Sequence, residues 1–166
     1  MSMSIDVNTS YLAIIRDSIG SRMFRHLYAI AEDGTRKEIL QNGRLACAYY
    51  VAFILYHFQL VASPHATVES TVKDMEEHGW SVVDTPEVGD VLVWEASVEH
   101  VEDESHTHIG FYVGDERAVS NQSSTGEIVE HDWTFGVDNE GEPNRKVTKI
   151  LRYNFVIARS PTTKQS

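Results

Sequence analysis

An α+β fold, with N-terminal helices packed on an antiparallel sheet, is predicted by one change of period and by the turns that follow it. Up to about residue 78 the apolar residues recur at helical spacing, and from Trp80 onward they alternate with period two. Turn sequences such as Pro86-Glu-Val-Gly89, Gly114-Asp115 and Ser123-Ser-Thr-Gly126 then divide the alternating part into short strands. Helices first and strands afterwards is the order of an α+β domain rather than of a parallel α/β one.

In chain order, Asn8-Thr-Ser10 offers capping groups, and Leu12, Ile15, Ile19, Met23, His26 and Leu27 follow at helical intervals. This pattern predicts one helix from about Thr9 to Ala31, kinked near Gly20 and ended by Glu32-Asp-Gly34. Thr35 to Arg44 is short and polar and carries the turn pair Asn42-Gly43. A very apolar helix then starts near Cys47 and is stopped by Ser63-Pro64. A third helix spans about Ala66 to His78, with Val68, Val72 and Met75 inward and Gly79 as terminator.

The strands predicted after it are Trp80 to Val83, Asp90 to Glu95, Thr107 to Val113, Arg117 to Asn121, Glu127 to His131 and Val147 to Ala158. Ser97 to His106 is an acidic, histidine-bearing connection, and Asp138 to Asn144 is a polar loop. One domain over residues 1–166 is expected, with its core at about 36–158, the N-terminal helix at about 9–31 and a tail at about 160–166.

Composition narrows the function classes. A single cysteine among 166 residues rules out an internal disulfide, so stability does not rest on an oxidising compartment. A formal charge of −11 with no Lys/Arg cluster argues against nucleic acid as a partner. The run Leu45 to Ala62 has the length of a membrane span, but Tyr, His57 and Gln59 interrupt it, so it reads as a buried helix. The first residues, Met-Ser-Met-Ser-Ile-Asp, show no secretory signal, which sets the expectation of a cytoplasmic protein or of export by another route.

Three pieces of the chain suggest chemistry. Cys47 opens an apolar helix, where unpaired N–H groups and the helix dipole favour a thiolate. His108 begins the strand Ile109-Gly-Phe-Tyr-Val-Gly114, and alternation puts His108, Gly110 and Tyr112 on one face. Gly110 leaves room for a close approach. If that face meets the start of the Cys47 helix, the imidazole can take the thiol proton, and Asn121 on the adjacent strand is the best placed amide to hold the ring.

The segments GDVLVWE, HTHIGFYVG and AVSNQSSTGEI, preceded by ACAYYVAFIL, resemble the NlpC/P60 and CHAP group of papain-like cysteine peptidases and amidases. The resemblance covers roughly Gln41 to Val129, and Ala46-Cys47-Ala48-Tyr49 departs from the Asp-Cys-Ser-Gly form common in NlpC/P60. It implies a papain-like fold and cleavage of an amide or peptide bond, with a peptide or peptidoglycan fragment as substrate and no cofactor. By the same resemblance Cys47 is the nucleophile, His108 the base and Asn121 the third residue. Gln41 lies at the spacing of a glutamine that helps bind the oxyanion, beside the Cys47 N–H. Tyr49 and Tyr50 are candidates for the cleft border, although core positions suit them too. Two alternatives stay open: the same fold acting on a non-wall amide or ester, and a binding module holding a metal with His106, His108 and the flanking carboxylates. No HExxH motif accompanies the latter, and no metal is expected.

Overall fold

The computed structural model describes residues 3–98 and 105–155. Its elements are α1 (Val7–Asp17), β1 (Tyr28–Ile30), β2 (Arg36–Glu38), α2 (Cys47–His57), α3 (Val68–Glu77), β3 (Ser81–Val83), β4 (Val91–Val98), β5 (Ser105–Gly114), β6 (Arg117–Gln122), β7 (Glu127–Asp132) and β8 (Val147–Arg152). Six strands form one sheet in the order β3-β8-β4-β5-β6-β7, with every neighbouring pair antiparallel. The α+β class with N-terminal helices on an antiparallel sheet is therefore what the chain adopts.

The first helix is shorter than its periodicity suggests. Asp6 caps it by accepting from the Thr9 N–H, and Ser18 closes it. Gly20 then adopts φ +84, and its N–H donates to the Ile128 carbonyl, while the Ile128 N–H donates to Ser21. The chain thus leaves the helix to run beside β7, and Ile19 and Met23, which continue the helical spacing, are exposed. Glu32-Asp-Gly34 is not a helix end but the turn of the β1–β2 hairpin. The last strand ends at Arg152, and the remainder of the stretch expected to continue it, from residue 156, lies outside the described residues.

The helical layer covers one face of the sheet. Tyr50, Val51, Ile54 and Leu55 of α2 pack with Tyr11 and Ile15 of α1 against Ile109, Phe111, Val119 and Ile128. Most of helix α2 is buried, as its strongly apolar sequence requires, and Phe53, Tyr56 and His57 form the stripe that reaches solvent. The opposite face carries a smaller cluster of Leu92, Trp94, Ala118 and Ile150, with Tyr112, Trp133 and Phe135 against it. In β5 the odd residues face the helices and the even ones, including His108, face the smaller cluster. The expected alternation holds, but the helices lie on the face opposite to His108.

The Gly-Asp step at the start of β4 is a structural joint. Gly89 has φ +96, and a side chain there would sit 2.9 Å from Leu12, so α1 docks directly on this turn. The Tyr11 hydroxyl donates to the Gly89 carbonyl at 2.8 Å. Asp90, 3% exposed, accepts the Glu87 N–H and a two-pronged bond from Arg152, which ties the turn to β8.

Candidate active site

Cys47 is the first residue of α2, preceded by Ala46, which has no side chain to cap the helix. The loop that delivers it is fixed by a crossing of two backbones. Gly43, at φ +94, leaves room for only 2.6 Å between a hypothetical Cβ and the Gly126 Cα, so the Asn42-Gly43 turn lies directly on the β6–β7 turn. Asn121 adds a tether, its Nδ2 donating to the Gly43 carbonyl at 2.8 Å.

A cleft of about 520 Å³ opens at this end of the sheet, and Cys47, His106, His108, Asn121 and Arg145 all line it. Cys47 is partly exposed there. The β5–β6 ladder begins at Gly110↔Ser120, and one residue before it the Ile109 N–H is directed to the Cys47 sulfur. Ile109 turns its side chain to the helices and His108 turns its ring to the other face, so thiol and ring come to the one cleft from opposite faces of the sheet.

The ring of His108 is held by Ser120. His108 Nε2 and Ser120 Oγ are 2.9 Å apart, and Ser120 Oγ lies 2.7 Å from His131 Nε2. His131 Nδ1 lies 2.7 Å from the Asp132 carbonyl. That last partner orders the whole series, because a carbonyl can only accept. His131 Nδ1 carries its proton, so in the neutral ring Nε2 accepts from the Ser120 hydroxyl, and Ser120 in turn accepts from His108 Nε2–H. The basic nitrogen of His108 is then Nδ1. Aromatic rings fix the plane: Trp94 lies opposite His108 in the β4–β5 register with ring centres 5.4 Å apart, and Phe135 stacks on His131 at 4.1 Å. Gly110 is required here, since a Cβ would stand 2.7 Å from that of Ser120 and 3.1 Å from Trp94.

Asn121, expected to orient His108, does not touch it. It points from the other face of β6, bonds Gly43, and leaves its Oδ1 buried without a partner. The cause is a register shift in the β5–β6 hairpin between Tyr112 and Gly114. The pairing Gly114↔Arg117, continued regularly, would set Asn121 opposite Gly110, whereas the shift sets Ser120 there. Gln41 is exposed at φ +52, accepts from Arg44 Nε at 2.7 Å, and is not among the residues lining the cleft. Tyr50 is wholly buried, its hydroxyl donating to Ser18, and Tyr49 packs on Phe24 and Phe53. Neither tyrosine borders the cleft.

The electrostatics also depart from the sequence expectation of a low-pKa thiol. Burial pushes the Cys47 thiol up, against the smaller opposing pull of the Ile109, Ala48 and Cys47 N–H groups and of Arg145. Burial, with Arg145 and His131 as lesser causes, pushes His108 down to about 3. At neutral pH the pair rests as thiol and neutral imidazole. Arg145 is held in place by donating to the Glu95 and His106 carbonyls and lies over the Phe135 ring. Ser120, His131 and Arg145 are the residues that sequence reasoning missed. Only Ser120 left a signal, as a polar residue directly following the apolar pair Ala118-Val119 of an inner strand.

His106 lines the cleft, but the acidic residues 99–104 beside it lie outside the described residues. Among the described residues no group of three or more His, Cys, Asp or Glu is arranged to hold a metal ion. No described helix is long and apolar enough to cross a membrane. No family model matches this chain, and no curated protein is similar to it.

Proposed function

We propose that the protein is a papain-like thiol hydrolase of the NlpC/P60 or CHAP kind, cleaving an amide or peptide bond through an acyl-enzyme. The observation that supports this reading is one cleft lined both by a helix-opening thiol and by an imidazole whose proton is fixed on Nε2. In the reaction His108 Nδ1 takes the thiol proton as Cys47 attacks the carbonyl carbon. The same proton then goes to the leaving amine, and water, activated by His108, releases the acid. The Cys47 N–H at the helix start is the backbone donor for the oxyanion. Peptidoglycan peptides are the substrate class that the sequence resemblance favours.

Digestion of purified peptidoglycan tests this, with Cys47→Ala as control. Release of soluble peptide fragments by the wild type alone is the expected result. Equal release by both proteins, or by neither, overturns the wall-hydrolase reading. Hydrolysis of synthetic peptide amides or esters by the wild type alone would move the substrate off the wall while keeping the chemistry.

A further inference from the structure

The bond series behind His108 has a property that a simple ring tether lacks: it ends on a second imidazole. A serine or amide that only orients a ring has nowhere to send its proton. Here each member is both donor and acceptor, with separations of 2.9 and 2.7 Å, and the far nitrogen is a base.

We propose that Ser120 and His131 form a proton relay, so that ionising Cys47 places the positive charge on His131 rather than on His108. The inference rests on the thiol–imidazole reading above and names how that site is charged. Three transfers balance it. The S–H proton passes to His108 Nδ1, the His108 Nε2 proton passes to Ser120 Oγ, and the Ser120 hydroxyl proton passes to His131 Nε2. The product holds a Cys47 thiolate, a neutral His108 protonated on Nδ1, a reoriented Ser120 hydroxyl and a doubly protonated His131.

The surroundings favour that endpoint. His108 is 9% exposed, packed under Trp94 and near the Arg145 guanidinium, so a cation on it is penalised twice. His131 is less enclosed, donates to the Asp132 carbonyl, and has the Asp132 and Glu130 carboxylates of β7 as favourable neighbours. Arg117 on β6 opposes a charge there, and so does burial, which keeps the neutral ring as the resting form. His131 is thus a positioning residue that acts through Ser120 and also receives the proton.

The relay has a readout independent of any substrate: the pH dependence of Cys47 alkylation by iodoacetamide. An internal acceptor gives a rate plateau at pH values below the thiol's own ionisation, and the rate at high pH serves as the reference. His131→Gln keeps an acceptor for the Ser120 hydroxyl and so preserves the His108 tautomer, which 15N ring spectra would verify. It removes only the terminal base. The plateau should fall by roughly tenfold or more in His131→Gln and in Ser120→Ala, while the high-pH rate stays as in the wild type. A plateau of wild-type height in both variants overturns the relay while leaving the Cys47–His108 pair intact. A plateau untouched by His108→Ala overturns the underlying pair instead.

Discussion

Replacing Gly43 by alanine should destabilise the protein through one identifiable contact. The residue is buried at φ +94, and an added Cβ would lie 2.6 Å from the Gly126 Cα and 3.0 Å from Arg25 Cγ. The arginine side chain can move, but the glycine backbone on which the loop rests cannot without shifting the β6–β7 turn. Two costs therefore add: about 1–2 kcal/mol for alanine in a left-handed conformation, and about 1–3 kcal/mol for overpacking. Gly34 supplies the reference, because it has φ +81 with nothing within 4 Å of the same hypothetical atom. Gly34→Ala carries the conformational cost alone. Urea unfolding followed by tryptophan fluorescence measures both variants on one scale. Gly43→Ala should be the less stable by about 1–3 kcal/mol. Equal losses would refute the view that a backbone crossing, and not merely a turn, seats the Cys47 loop.

Three other outcomes follow from the described contacts. Asp90→Asn removes the charge that Arg152 grips from a buried position and should cost about 3 kcal/mol in the same unfolding assay. His108→Gln tests the depressed imidazole by linkage: as pH falls below 6.5 the unfolded chain gains a proton there that the folded protein refuses until about pH 3. Wild-type stability should therefore drop relative to the variant by about 1.4 kcal/mol per pH unit in that window, and parallel curves would show His108 to be freely titrating. Gln41→Ala should leave hydrolysis within about twofold of wild type, because loss of a true oxyanion donor costs roughly a hundredfold or more; a loss of that size would return Gln41 to the site.

The parts of the fold that the sequence made legible are those in which a local pattern and its burial agree. The strongly apolar stretch after Cys47 is a largely buried helix, and the strand beginning near His108 alternates as its residues suggest. What misled was pattern without burial: Ile19 and Met23 keep helical spacing, but the helix has closed at Ser18 and Gly20 turns the chain toward β7. The third site residue was missed by one position for a different reason. Ser120 and Asn121 are both polar and adjacent, and which of them faces His108 depends on a register irregularity set by the hairpin geometry near Gly114. His131 and Arg145 come from distant strands and loops, and nothing local marks them.

The same irregularity makes chemical competence a test of correct folding. The thiol belongs to the helical layer, and the imidazole's support belongs to the far side of the sheet, so bringing the two to one cleft depends on the β5–β6 register. A molecule paired one residue out would bring Asn121 to the imidazole's face and turn Ser120 toward the helices. It could retain most of its strands yet lose the hydroxyl bridge to His131. Misassembled copies would then be inert, a useful property for a chain whose proposed work is breaking covalent bonds.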